Sequence, residues 1–455
     1  MRQPLSAPQP PAGRPTGAGP RTAARGRLRA GRLPVCLAAG VLLAVAGCGD
    51  GNSRTPTVSS AAPSGTGGTT ATGTAASPTT SASSVPGSAT RPTASSGAAT
   101  GTTRPSSCVD RTVNAMSQAQ RVGQLFMTSV STTGMTTAEA AAIRQGKTGS
   151  VFLKVHTNAG TAAVRSVANR ARALTSPVKG VTVGMLVATD QEGGLVQVLN
   201  GPGFSVIPSA ARQGTSAPAT LQKDAETWGR QLRAAGVTMN LAPVADTVPP
   251  ALVNVNAPIG KLSREYGTDP ATVASHSTAF LRGMARAGVV ATAKHFPGLG
   301  RVTGNTDTTA GVVDGVTTST DPFLQPFKSA IDAGVPFVMV SSATYARIDP
   351  SRQAVFSPVV LRTLLRGSLG FKGVIISDDL GQAVAVADRT PARRALDFFA
   401  AGGNVLLTVQ PADIGPMTSA VLARLPQDAA LRRNVDDSVR RVLTAKQNAG
   451  LLTCG

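Results

Sequence analysis

The chain has 455 residues, 44 Lys+Arg against 23 Asp+Glu, and a formal charge of +21. Four cysteines exclude a disulfide scaffold, and no Cys-x-x-Cys pair points to structural zinc. Three histidines (His156, His276, His295) are too few for a His-rich metal site, so neither a metal nor a cofactor is expected.

Residues 1–50 hold seven arginines and one acid, Asp50. Arg21, Arg25, Arg27, Arg29 and Arg32 precede an apolar run from Leu33 to Gly47. A basic stretch, a short apolar core and small residues at its end form the pattern of a secretory signal peptide. The run falls short of the roughly 20 apolar residues that a membrane-crossing helix needs. It ends Val45-Ala46-Gly47-Cys48, which resembles the lipobox of bacterial lipoproteins. That resemblance implies a signal over 1–47, a lipidated Cys48, and an extracytoplasmic protein anchored to the cell membrane without spanning it. An ordinary cleaved signal with an incidental cysteine is the alternative. Residues 48–107 are mostly Ser, Thr, Gly, Ala and Pro without an aromatic, and are expected to form a disordered tether. From residue 108 onward the charge is +12, from 34 basic and 22 acidic residues. That suits an anionic wall or lipid surface, and no interleaved aromatics speak for a nucleic-acid partner.

Residues 108–455 alternate short apolar runs with amphipathic stretches. The runs are 124–128, 150–154, 183–189, 237–241, 289–293, 336–340, 373–376 and 404–409. Each reads as a strand buried on both faces. Between them lie helical patterns such as Thr220–Ala235, Pro270–Ala287 and Pro358–Leu369. Eight such repeats predict one α/β domain, a closed (β/α)8 TIM-type barrel, expected as a monomer. A doubly wound sheet is the runner-up, but no Gly-x-Gly-x-x-Gly turn follows the first strand.

In such a barrel the C-terminal strand ends carry the active site. Strand three runs into Asp190-Gln191-Glu192-Gly193-Gly194 and strand four into Ala242-Pro243-Val244-Ala245-Asp246. Strand five runs into Lys294-His295-Phe296-Pro297-Gly298, and strand seven into Ser377-Asp378-Asp379-Leu380. Singly, each of these residues reads more readily as a helix cap or a structural ion pair, with Arg264 paired to Glu265 or Asp269. Their joint placement on one rim favours binding and cleaving a sugar, where carboxylates accept paired hydroxyls and attack or protonate at the anomeric centre.

Taken in order, these four segments resemble the barrel of family 3 glycoside hydrolases, specifically the bacterial β-N-acetylhexosaminidases. The resemblance spans nearly all of 110–453. It implies a retaining mechanism on terminal β-linked N-acetylglucosamine in glycans such as peptidoglycan fragments. By the same resemblance Asp378 is the nucleophile, with Asp379 only its neighbour. Asp190, Arg264 (in Arg264-Glu265-Tyr266-Gly267), Lys294 and His295 would hold the sugar hydroxyls.

One position departs from the family pattern. The acid/base there is a histidine on the loop after strand five, two residues beyond an aspartate. Here the loop reads Asn305-Thr306-Asp307-Thr308-Thr309, so Asp307 fits the aspartate and Thr309 stands where the histidine belongs. Threonine cannot shuttle a proton near neutral pH. Direct action by Asp307 is the first expectation. Another acid such as Glu265, or a catalytically weak sugar-binding relative, are the alternatives. Leu195 and Val198 replace family arginines and Ser342 a frequent histidine, which leaves the leaving-side sugar open.

Cys108 opens the domain and Cys454 nearly ends it. A closed barrel brings its termini together, so a bridge between them is expected in an oxidising compartment, with two free thiols as the alternative.

Overall fold

The computed structural model describes residues 107–454. The signal, Cys48 and nearly all of the tether lie outside the described residues.

Eight parallel strands close into a barrel in strictly sequential order. They are β1 (Phe126–Ser131), β2 (Ser150–Lys154), β3 (Leu186–Thr189), β4 (Met239–Asn240), β5 (Val290–Phe296), β6 (Phe337–Val340), β7 (Val374–Asp379) and β8 (Val405–Thr408). Each coincides with one of the eight apolar runs. Strand side chains alternate between the barrel interior and the helical layer. Both environments are apolar, so the runs are continuous rather than alternating. Met127, Leu186, Val338, Ile375 and Leu406 are fully buried or within a few per cent of it.

Several strand boundaries differ from the sequence reading, among them that of β1, which runs on to Ser131. β5 and β7 run on to Phe296 and Asp379, so Lys294, His295, Asp378 and Asp379 sit within strand ends rather than in loops. The third run divides at Gly184. Val181–Val183 leaves the barrel to pair antiparallel with Leu452–Cys454, and only Leu186–Thr189 joins the sheet. A side chain at Gly184 would press on Leu451, whose carbonyl oxygen lies 3.0 Å from where its Cβ would be.

Helices follow the strands around the outside. Pro218–Ala234 and Pro270–Arg286 begin with proline, whose fixed φ and missing N–H suit a first turn. Asp269 caps the second of these by accepting from the Thr272 amide at 2.8 Å. The expected helix at 358–369 is present as Val359–Ser368, but it is wound more widely, as a π-helix. Nothing in its packing explains that winding. Cys108 and Cys454 form a disulfide with Cα atoms 5.8 Å apart.

Candidate active site

A cavity of about 480 Å3 opens at the C-terminal ends of the strands. Asp190, Arg264, Lys294, His295, Asp307 and Asp378 all line it, although they come from five separate segments. Its floor is apolar, made by Phe152, Leu241, Met339 and Leu407. A polar ring over an apolar floor matches a pyranose, which has hydroxyls at its edge and C–H groups on its faces.

The cations of this ring are fixed by carboxylates. Lys294 Nζ lies 2.6 Å from both Asp190 Oδ1 and Glu192 Oε1. Arg264 makes a two-pronged contact with Glu192, Nε to Oε2 at 2.9 Å and Nη2 to Oε1 at 2.8 Å, and donates from Nη1 to the Pro258 carbonyl at 2.7 Å. Arg264 therefore pairs with neither Glu265 nor Asp269. Burial alone would push Glu192 up, but Arg264 and then Lys294 outweigh it and hold the carboxyl at about 2. Burial works against the charge on both cations as well. Glu192, with Asp190 and Asp246, overcomes it at Arg264, and Asp190 followed by Glu192 does so at Lys294, so both stay protonated.

His295 is set by Asp246, which is completely buried. Oδ2 of Asp246 lies 2.7 Å from His295 Nδ1, and its carboxylate also accepts from the Leu299 amide at 2.7 Å. With Nδ1 engaged, Nε2 faces the cavity, 3.5 Å from Arg264 Nη2. The peptide between Lys294 and His295 is cis, and both side chains reach the same cavity.

Asp378 and Asp379 have different surroundings. Asp379 accepts from the amides of Gly381, Gln382 and Val409, each at 2.8 Å, and so shapes the turn that follows β7. Burial raises its pKa in spite of those bonds. Asp378 accepts only the Asp379 amide, at 2.9 Å, among the hydrogen bonds of the described residues. Its remaining lone pairs face the cavity.

Asp307 stands on the loop after β5. That loop is docked rather than free. The Val384 amide donates to the Asp307 carbonyl at 3.1 Å, and the Ala385 amide to the Thr306 carbonyl at 3.0 Å. The loop's first residue, Gly300, has no room for a side chain, because a Cβ there would lie 1.7 Å from the Thr247 carbonyl oxygen. Crowding strips hydration from the Asp307 carboxyl, and Asp378 and Asp379 oppose its ionisation, while His295 and Arg264 favour it. The outcome is a pKa raised to about 6.

Thr309 is exposed and does not line the cavity. Glu265 is buried and also lies outside the lining, with Oε2 lacking a hydrogen bond. Leu195 is 68% exposed on the hairpin after β3, whereas Val198 is buried. Ser342 is buried with its hydroxyl unpartnered. Sequence reasoning missed two organising residues, Glu192 and Asp246. Both stand in the quoted rim segments, but their partners lie 72 and 49 residues away along the chain.

Residues 118–445 match the glycosyl hydrolase family 3 N terminal domain. A β-hexosaminidase of Stenotrophomonas maltophilia (strain K279a) is 34% identical over 262 residues, covering 54% of this chain and 73% of that protein. The crystal structure of a β-N-acetylhexosaminidase from Beutenbergia cavernae DSM 12333 superposes with a TM-score of 0.71 at 49% identity, over 73% of this chain and 99% of that one. A family 3 β-N-acetylglucosaminidase from Paenibacillus sp. str. FPU-7 gives a TM-score of 0.65 at 27% identity, over 74% of this chain and 63% of that one.

Proposed function

The chain belongs to glycosyl hydrolase family 3, and from that footing we propose that it removes terminal, non-reducing β-linked N-acetylglucosamine with retention, using Asp378 as nucleophile and Asp307 as acid/base. It is a β-hexosaminidase-like glycoside hydrolase. The observation that supports these roles is the sharing of one cavity by two dissimilar acids. One is Asp378, with lone pairs open to the cavity. The other is Asp307, whose pKa of about 6 suits a group that must hold a proton at mildly acidic to neutral pH.

In the first step an Asp378 oxygen bonds to the anomeric carbon while the glycosidic bond breaks. Asp307 gives its proton to the departing oxygen. In the second step Asp307 takes a proton from water, and the water oxygen displaces Asp378 from the anomeric carbon. Asp190, Lys294, His295 and Arg264 hold the sugar's hydroxyls through the groups they turn to the cavity. Their ion pairs fix those groups before substrate arrives, so little reorganisation is left for the reaction.

A second reading, a sugar-binding relative with little turnover, rests on Thr309, which has no proton to exchange near neutral pH and lies outside the cavity. Kinetics of Asp378→Asn and Asp307→Ala separate the two. Asp378→Asn is expected to lose about 10³-fold or more in turnover of aryl N-acetylglucosaminides while still folding. Asp307→Ala is expected to lose about 10²–10⁴-fold on disaccharides but far less on aryl substrates, whose leaving groups need little protonation. Equal rates for wild type and Asp378→Asn would sink the enzyme roles and leave sugar binding alone.

We also propose that the mature protein is a monomer held outside the cytoplasm by a lipid on Cys48, acting on fragments of peptidoglycan. Cys48→Ala should move it from the membrane fraction to the soluble one. An unchanged distribution would rule the anchor out.

A further inference from the structure

At the other end of the barrel a separate pocket of about 300 Å3 lies between the helix Val359–Ser368, the residues entering β7 and β8, and the long helix Ala429–Asn448. It shares no lining residue with the catalytic cavity. Four cationic side chains line it, Arg362, Arg366, Lys372 and Arg441, against one carboxylate, Asp437. That carboxylate is already engaged, accepting from Arg441 Nε at 2.6 Å.

The other arginines meet only neutral oxygens. Arg366 donates to the carbonyls of Phe371 and Gly373, at 3.0 and 2.6 Å, and to Asn404 Oδ1 at 2.5 Å. Arg362 donates to the carbonyls of Ala401 and Ala400, at 3.1 and 2.9 Å. These bonds satisfy donors without cancelling charge. Burial, and then the like charge of Arg441, bring Arg366 down to about 9, with Asp437 offsetting little of it. Residues 1–107 contain one acid, Asp50, too few to cancel four lining cations against one carboxylate.

We propose that this pocket binds a phosphate ester group. Among the hydrogen bonds of the described residues, Arg362 Nη1, Arg441 Nη2 and Lys372 Nζ make none, which leaves donors on three lining cations for an anion with several equivalent acceptor oxygens, each contact charge-assisted on both sides. The pocket also continues into a neighbouring cavity of about 560 Å3, with which it shares Phe371, Lys372, Asp437 and Arg441. The walls of that cavity include Ile331, Val335, Pro336 and Ala445. An organic substituent on the phosphate therefore has a place to extend, which favours an ester over the bare ion. The source of the phosphate is either a lipid headgroup or a soluble phosphate ester.

The test uses the full chain carrying Cys48→Ser, so that no lipid is attached, at about 0.15 M salt. Glycerol 1-phosphate is titrated calorimetrically, with glycerol as the control. Sedimentation with phosphatidylglycerol vesicles is compared with phosphatidylcholine vesicles. Binding of glycerol 1-phosphate but not glycerol is expected. Arg362→Gln with Lys372→Gln, both exposed positions, should weaken it about fivefold per cation removed. Asp437→Asn should strengthen it by removing the competing carboxylate. Selective sedimentation with phosphatidylglycerol, competed by glycerol 1-phosphate, would assign the source to a lipid headgroup. Binding of the ester without sedimentation would assign it to a soluble phosphate. The proposal is overturned if neither glycerol 1-phosphate nor phosphatidylglycerol binds, or if both variants match the unsubstituted chain. Loss of glycosidase activity plays no part in these readouts, so the site stands or falls apart from the proposed catalytic roles.

Discussion

At the C-terminal ends of the strands, Lys294 is buried against Asp190 and Glu192, and Arg264 is largely buried against Glu192. At the N-terminal ends, Lys446 is buried just as deeply, but its Nζ meets only Gln124 Oε1 at 2.6 Å and the Gly149 carbonyl at 2.8 Å. The first pair of cations is held protonated. The second loses its hydration and gains no carboxylate, and falls to about 7. Depth of burial is thus a poor guide to the state of a charged group. What decides it is whether the fold supplies a fixed opposite charge. Glu192 fixes both cations of that cavity through contacts within the protein itself.

Removing that counter-charge should have the largest effect. Glu192→Gln keeps the shape and leaves two buried cations short of an anion, with an expected cost of about 3 kcal/mol in unfolding free energy. The sign also follows from linkage. A carboxyl at about 2 when folded, against an ordinary 4.5, stabilises the fold above pH 4.5 and loses that contribution as pH falls through about 2. Urea unfolding of both proteins between pH 7 and the acid range measures this. If Glu192→Gln matches wild type throughout, Glu192 is not what keeps the two cations charged.

Lys446 should give a smaller effect in a higher pH window, with stability again rising as pH rises. Its folded pKa of about 7 lies below the unfolded value of about 10.4, so the penalty for burying it is complete below pH 7. Above pH 7 the folded chain sheds the proton while the unfolded chain keeps it. Wild type should therefore gain about 2 kcal/mol relative to Lys446→Met between pH 7 and pH 9. Parallel stability profiles would mean that the lysine keeps its proton through this range, and the contrast between the two ends would collapse.

The smallest effect belongs to a pair at neither end. Lys328 and Asp332 are 2.7 Å apart, Nζ to Oδ2, on an outer helix, but both are about half exposed. Lys328→Ala should change the unfolding free energy by no more than about 0.5 kcal/mol, because water and salt already screen the pair. A loss as large as that of Glu192→Gln would show that close ion contact matters here more than burial.

The barrel was legible because strands buried on both faces leave continuous apolar runs, and all eight stood out. The rim was legible because its ionisable residues end those runs. Asp190, Arg264, Lys294, His295, Asp307 and Asp378 do share one cavity. The carboxylate linking Lys294 to Arg264 was not legible, since Glu192 is one more acid in a polar turn until the segment around residue 264 folds over it. Asp246 escaped for the same reason, because His295 is its neighbour only across β4 and β5. The docking of the Asp307 loop was also hidden, because backbone amides of Val384 and Ala385 hold it and any sequence could supply them. Lys446 did leave a trace. Val439, Val442, Leu443 and Lys446 fall at helical spacing on one buried face, so the lysine occupies an apolar position.

The Cys108–Cys454 bridge has a consequence for mechanics. It joins residues 346 apart in sequence, and both lie beside the points where the chain enters and leaves the domain. Tension applied between the two termini runs from one sulfur to the other and bypasses the eight strands. The barrel's residues lie in a covalent loop that carries none of that load. Pulled end to end, the domain should not lengthen by unfolding while the bridge is intact. After reduction, the same force would reach the Val181–Val183 ribbon and the helix Ala429–Asn448, and from there the barrel.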